Sequence, residues 1–159
     1  MIAFVLSLSA QAMSENWFEY PIRVQPHHTD YGGVVWHGTY ITWMESARVE
    51  CLRAAGAPFD ALVKLGYDLP VVNLDVRYRH PLTLGAAAVI KTRLGPAKGI
   101  RFNWLYEIET VAEEDRTPIV CLTGQVTLVP VDLEQRRVVR RMPDEVRAIA
   151  DKVAAFLDA

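Results

Sequence analysis

Between residues 39 and 56, Tyr40, Met44, Ala47, Cys51 and Ala54–Ala55 recur at three- and four-residue steps. That is the period of a helix with one buried face. Glu45, Ser46, Glu50 and Arg53 fall away from the stripe. The Thr39 hydroxyl is placed to cap the start, and Gly56 to stop the helix in a left-handed turn before Pro58. Ala47 and Cys51 are small, so the middle of the stripe predicts close approach by another backbone, as when a sheet wraps around a helix. A chain with one such helix must find a covering layer elsewhere in its sequence.

The rest of the chain supplies it. "WFEYPIRVQ" (17–25) alternates roughly and reads as a first strand. "PFDALVKLG" (58–66) predicts a short helix with Pro58 at its first position and Gly66 just past its end. Four extended runs follow, at 69–79, 86–94, 100–112 and 118–131, broken at His80–Pro81, "GPAKG" and "EEDRTP". In the third run Phe102, Trp104, Tyr106 and Ile108 alternate with Arg101, Asn103, Glu107 and Glu109, apart from Leu105. That pattern is a strand with one buried face. Residues 143–159 close the chain as an amphipathic helix. Strand, loop, long helix and four strands predict an α+β fold in which a mostly antiparallel sheet covers the helix.

At 159 residues the chain reads as one domain. A domain near this length buries roughly 68–70 % of its unfolded surface and needs no disulfide or metal to hold together. Cys51 and Cys121 lie in apolar stretches far apart and read as small buried hydrophobes, which suits a reducing compartment. A net charge of −2 argues against nucleic acid as a partner. The basic run "EQRRVVRR" (134–141) reads as a solvated strand end. "IAFVLSLSAQA" (2–12) has the look of a short signal sequence, but no Lys or Arg precedes its apolar run and it is too short to span a bilayer. We read residues 1–13 as an over-extended start, with a domain over 14–159 in a cytoplasmic protein.

"HHTDYGGVVWHG" (27–38) concentrates three of the four histidines beside Asp30 and three glycines. His27, His28, Asp30 and His37 are metal-ligand types, but adjacent histidines on an extended chain would face opposite ways, and neither HExxH nor paired cysteines accompany them. No metal is expected. The glycine spacing matches neither phosphate-binding fingerprint. A GxSxG elbow is missing, and both cysteines sit within elements rather than in turns beside a histidine. What the residues leave open is an Asx-turn, with the Asp30 carboxylate bonded to backbone amides, or a catalytic loop.

"HTDYGGVVWHGTYITWMESARVECLRAAG" (28–56) resembles the signature of hot-dog-fold acyl-CoA thioesterases of the 4-hydroxybenzoyl-CoA thioesterase type. The matching places are Thr29–Asp30, Gly32–Gly33, Val34–Val35, Trp36, His37, Tyr40, Trp43, Glu45 and Arg48. "VVNLDVRYRHPL" (71–82) is similar to the family's second strand, and the likeness runs from about residue 17 to 131.

The resemblance implies a single hot-dog domain with a long central helix wrapped by five strands, plus the C-terminal helix. It also implies thioester hydrolysis with Asp30 as nucleophile or general base. A free aspartate, with a pKa of about 3.9, is ionised at neutral pH without a partner base. Backbone amides at the helix start, around His37 and Gly38, would meet the oxyanion. Trp36, Tyr40 and Trp43 would line an acyl pocket, and Lys98 and Arg101 stand near the hairpin the family uses for coenzyme A. Glu45 and Arg48 read as a surface or interface ion pair. Coenzyme A would enter as part of the substrate, with no separate cofactor, and the family's habit implies a homodimer or homotetramer with no membrane partner. The rivals are a hot-dog hydratase or dehydratase, against which the seven-residue step from Asp30 to His37 speaks, and a non-catalytic acyl-CoA binder, which would have no need of Asp30.

Overall fold

A computed structural model describes residues 16–159 of the chain; the reading of residues 1–13 lies outside the described residues. Strand β1 (Phe18–Arg23) leads into a tight turn and a loop, then the long helix α1 (His37–Ala54) and short α2 (Phe59–Lys64). Strands β2 (Tyr67–Asp68), β3 (Val71–Tyr78), β4 (Ala87–Leu94), β5 (Phe102–Thr110), β6 (Val120–Leu128), β7 (Val131–Asp132) and β8 (Arg137–Val138) follow, and α3 (Asp144–Asp158) ends the chain.

Five strands form one sheet in the order β1–β4–β5–β6–β3, every pairing antiparallel. On β5 the alternation holds as expected: Phe102, Trp104, Tyr106 and Ile108 are buried and the residues between them are partly exposed. The helix α1 lays Tyr40, Met44, Ala47 and Cys51 into the core these strands share. Ala47 and Cys51 are fully buried, and a close approach of sheet to helix is seen beside them, at Met44. A Cβ on Gly124 of β6 would lie 3.0 Å from the Asp75 carbonyl oxygen and 3.3 Å from Met44 Cε. Glycine there lets the helix sit down on the strands.

Several local expectations are corrected. α1 opens two residues earlier than Thr39, with Trp36 as its N-cap, and the Thr39 hydroxyl donates instead to the His28 carbonyl at 3.2 Å. Pro58 is the N-cap of α2, one place before the first helical residue. Arg48 does not pair with Glu45 at the surface. It is 8 % exposed and donates from a terminal guanidinium nitrogen to the Tyr106 hydroxyl at 3.0 Å, while Glu50 pairs with Arg53. Both cysteines are free and buried, and burial pushes the Cys51 thiol up to about 12.

The strands β2, β7 and β8 form a second, three-stranded sheet, which sequence periodicity did not reveal. β8 takes up part of the basic run, whose residues are mostly exposed, as expected of a solvated strand end. Helix α3 buries Val146, Ile149 and Val153. Among the described residues, no helix is long and apolar enough to cross a membrane.

β3 lies at the free edge of the large sheet. Its Val71, Val72, Leu74 and Tyr78 are exposed. An apolar strand edge with unpaired backbone groups is a template for pairing with another strand.

Candidate active site

The loop before α1 is closed by backbone pairing. Thr29 bridges Val35, the Asp30 amide donates to the Val34 carbonyl at 2.8 Å, and the Gly33 amide returns to the Asp30 carbonyl at 3.1 Å. The far side of the loop docks on the segment leading into β4: Val34 bridges Thr83, and the Val35 amide donates to Leu82 at 2.9 Å. In this antiparallel pairing Asp30 lies on the loop side of the Thr29–Val35 bridge, and the first turn of α1 departs from its other side, past His28.

The Asp30 side chain is exposed, and its Oδ1 accepts the Gly32 amide at 2.8 Å. The Asx-turn left open by the sequence is therefore present. Among the described residues nothing donates to Oδ2. One carboxylate oxygen shapes the loop and the other is unengaged.

At the helix start, the Trp36 amide donates to the His28 carbonyl at 3.0 Å and the Thr39 amide to the Trp36 carbonyl at 2.9 Å. Between them, the amides of His37 and Gly38 have no acceptor among the described residues. Two unpaired N–H groups at the positive end of an 18-residue helix are donors for a developing negative charge. The His37 ring is exposed and lies 4.7 Å from the Trp36 ring, with no hydrogen bond among the described residues.

Trp36 is 51 % exposed, yet its ring folds back over Gly38, where a Cβ would come within 2.1 Å of it. Any side chain at position 38 must displace the indole. Gly38→Ala is therefore expected to move Trp36, read as a change in tryptophan emission, with the melting temperature lowered by only a few degrees.

Beside this turn runs a groove of about 490 Å³, lined by His27, His28, Trp36, Thr39, Trp43 and Arg23 among others. His27 and His28 occupy a short 3-10 turn (Pro26–His28), not an extended strand, and their rings lie 4.1 Å apart. The expectation that they point apart is corrected. His28 Nδ1 accepts the Gln25 amide at 2.9 Å, and its ring meets Trp43 edge-on at 5.0 Å. Burial, helped by the neighbouring His27, lowers the His28 pKa. Its folded form thus prefers the neutral ring. The stability this contributes is present above the ordinary imidazole pKa and is lost as pH falls through the lowered value. Among the described residues, no group of three His, Cys, Asp or Glu side chains is arranged to hold a metal ion.

Other expected site residues are dispersed. Tyr40 is 3 % exposed, and its hydroxyl accepts the Leu82 amide at 3.1 Å. It is a core residue, as the helical stripe predicts. Trp43 is almost wholly buried but shows an edge to the groove. Lys98 and Arg101 bridge each other in the turn between β4 and β5. The Asp30 loop docks on the segment leading into β4 and that turn follows its end, so the whole eight-residue strand, about 26 Å at the usual rise, runs between them. Within one chain the expected basic pair does not join the Asp30 site.

The sequence also hid a contact that the fold creates. The Tyr78 hydroxyl, at the end of β3, donates to the His37 carbonyl at 2.8 Å.

Residues 24–150 match the thioesterase-like superfamily. A Synechocystis sp. protein named, provisionally, an esterase is 52 % identical over 137 residues, which cover 86 % of this chain and 80 % of that one. The Escherichia coli acyl-CoA thioester hydrolase YbgC is 30 % identical over 114 residues, 69 % of this chain and 85 % of its own. The crystal structure of a DHNA-CoA thioesterase from Staphylococcus aureus superposes with a TM-score of 0.74 at 26 % identity, covering 87 % of this chain and 91 % of that one. With its helix wrapped by an antiparallel five-stranded sheet, the chain is a hot-dog protein and belongs to the thioesterase-like superfamily.

Proposed function

We propose that the protein is an acyl-CoA thioesterase, hydrolysing an aromatic or a short- to medium-chain acyl-CoA to the free acid and coenzyme A. One observation carries this reading: Asp30, with Oδ2 unengaged, sits in a loop whose paired base leads directly into a helix start where the His37 and Gly38 amides lack acceptors. A free carboxylate oxygen in the loop that feeds two unpaired N–H groups suits attack on a carbonyl whose oxygen becomes negative. Relatives named as acyl-CoA thioester hydrolases support the same class.

Asp30 acts as nucleophile or as base. As nucleophile it forms an acyl anhydride while the C–S bond breaks, and water then releases the acid and restores the carboxylate. As base it takes a proton from the water that attacks. In either case the thiolate is a good leaving group, and the amides of His37 and Gly38 stabilise the oxyanion. The groove along Trp36 and Trp43 offers apolar and aromatic surface for the acyl group.

The active unit is a homodimer, which a tetramer can double. Pairing of the exposed β3 edge with the same strand of a second copy, antiparallel about a two-fold axis, would carry the second copy's β4–β5 turn toward the end of the sheet where Asp30 lies. That arrangement reconciles the distance of Lys98 and Arg101 from Asp30 in one chain with a role in binding the coenzyme A phosphates. We place the protein in the cytoplasm.

Thiol release from a panel of benzoyl-, hydroxybenzoyl-, acetyl-, hexanoyl- and decanoyl-CoA tests the reading. Release from at least one member is the expected result. Hydration of an enoyl-CoA without thiol release would replace it with a hydratase, and binding without turnover with an acyl-CoA sensor.

A further inference from the structure

Two tyrosines cross at the first turn of α1. Tyr40, from the helix, accepts the Leu82 amide through its hydroxyl, and Tyr78, from the end of β3, donates its own hydroxyl to the His37 carbonyl at 2.8 Å. Their rings meet at 67° with centroids 5.6 Å apart. Tyr40 is buried, whereas Tyr78 is half exposed, so its ring is not held by core packing alone.

The identity of the accepting carbonyl matters. The His37 C=O and the Gly38 N–H belong to one planar trans peptide unit and point in opposite directions. The helix's own Ile41 amide already holds this carbonyl, and the Tyr78 hydroxyl, as a second donor to the same oxygen, restrains the peptide unit and its N–H further. Donation to the oxygen also polarises the unit, which makes the N–H a stronger donor. Gly38 N–H is one of the two helix-start amides without an acceptor, and a glycine held only by its backbone has no side chain with which to steady that plane.

We propose that Tyr78 is a positioning residue for thioester hydrolysis, its hydroxyl aiming and strengthening the Gly38 amide through the peptide unit it shares with the His37 carbonyl. This rests on the thioesterase reading above, and on the Gly38 amide meeting the oxyanion. Tyr78 itself touches no reacting atom. Its effect should therefore fall on kcat, because the oxyanion forms after the substrate has bound.

The test is steady-state hydrolysis of the panel's fastest substrate by the full-length wild-type protein, Tyr78→Phe, and a variant carrying 3-fluorotyrosine at position 78. Phenylalanine keeps the ring against Tyr40 and removes only the donor. Removing a direct oxyanion donor costs about 10²–10³ in kcat, and a loss relayed through one peptide unit should be smaller, about tenfold, with KM changed less than about twofold. The fluorinated ring, a better donor, should keep kcat at or above the wild-type value. In an Asp30→Asn background, which holds substrate unreacted, Tyr78→Phe should reduce the red shift of the bound thioester carbonyl stretch.

An unchanged kcat in Tyr78→Phe, a loss confined to KM, or an equal loss with fluorotyrosine would overturn the inference while leaving the thioesterase reading intact. A wild-type protein that releases thiol from no thioester would overturn that reading and the inference with it.

Discussion

Asp30→Ala is expected to lower kcat by at least about 10²-fold, the scale of a missing catalytic acid–base group. Asp30→Asn should do nearly the same, and the comparison is informative because the carboxylate has two duties. Its Oδ1 holds the Gly32 amide in the loop, while Oδ2 has no partner among the described residues. An asparagine oxygen can still accept from Gly32, so Asp30→Asn keeps the loop and removes the charge, whereas alanine removes both. Equal losses in the two variants, with the melting temperature lower only in alanine, would assign the loss to chemistry. If asparagine retained near wild-type turnover and alanine did not, Asp30 would be a turn residue and the catalytic assignment would fail.

The largest expected effect on stability lies at Trp104. It is 1 % exposed near the start of β5, paired in register with Leu94 on one side and Val126 on the other. It also helps to line a small apolar cavity with Leu52, Phe59, Ile149 and Val153. Truncation to alanine would enlarge a space already present, and neither the sheet on one side nor the three helices on the other can close it without breaking register. Trp104→Ala should therefore cost about 3–5 kcal/mol. For a chain of this length that corresponds to a fall in Tm of about 6–20 °C. Urea denaturation should show a lower midpoint with an unchanged slope, and a loss under about 1 kcal/mol would mean that the site collapses onto the vacancy.

The sequence carried the strands because each has a period and a punctuated end. The run read at 86–94 became Ala87–Leu94, and the one at 118–131 became Val120–Leu128. Two-residue strands have no period, so the β2–β7–β8 sheet left no trace. Asp30, Trp36, His37 and Gly38 were legible because they are neighbours in one loop, which local spacing describes. Tyr78 was not, since its partner is 41 residues away and only the fold joins them. Lys98 and Arg101 stand apart from Asp30 in one chain for the converse reason. Their turn was legible, but composition does not say at which end of β4 the Asp30 loop docks.

Arg48 illustrates a third kind of error. A cation three residues from a glutamate on a helix suggested a solvated pair, but the sheet and α3 enclose it, and its side-chain partner is a neutral phenol. No carboxylate forms an ion pair with it among the described residues. A charge desolvated without a counter-charge is a burden that a folded chain carries at every temperature. Position 48 is accordingly where protein engineering can seek heat resistance: a methionine of similar length, paired with Tyr106→Phe so that no hydroxyl is stranded, would exchange that burden for ordinary apolar packing, eleven residues along α1 from His37.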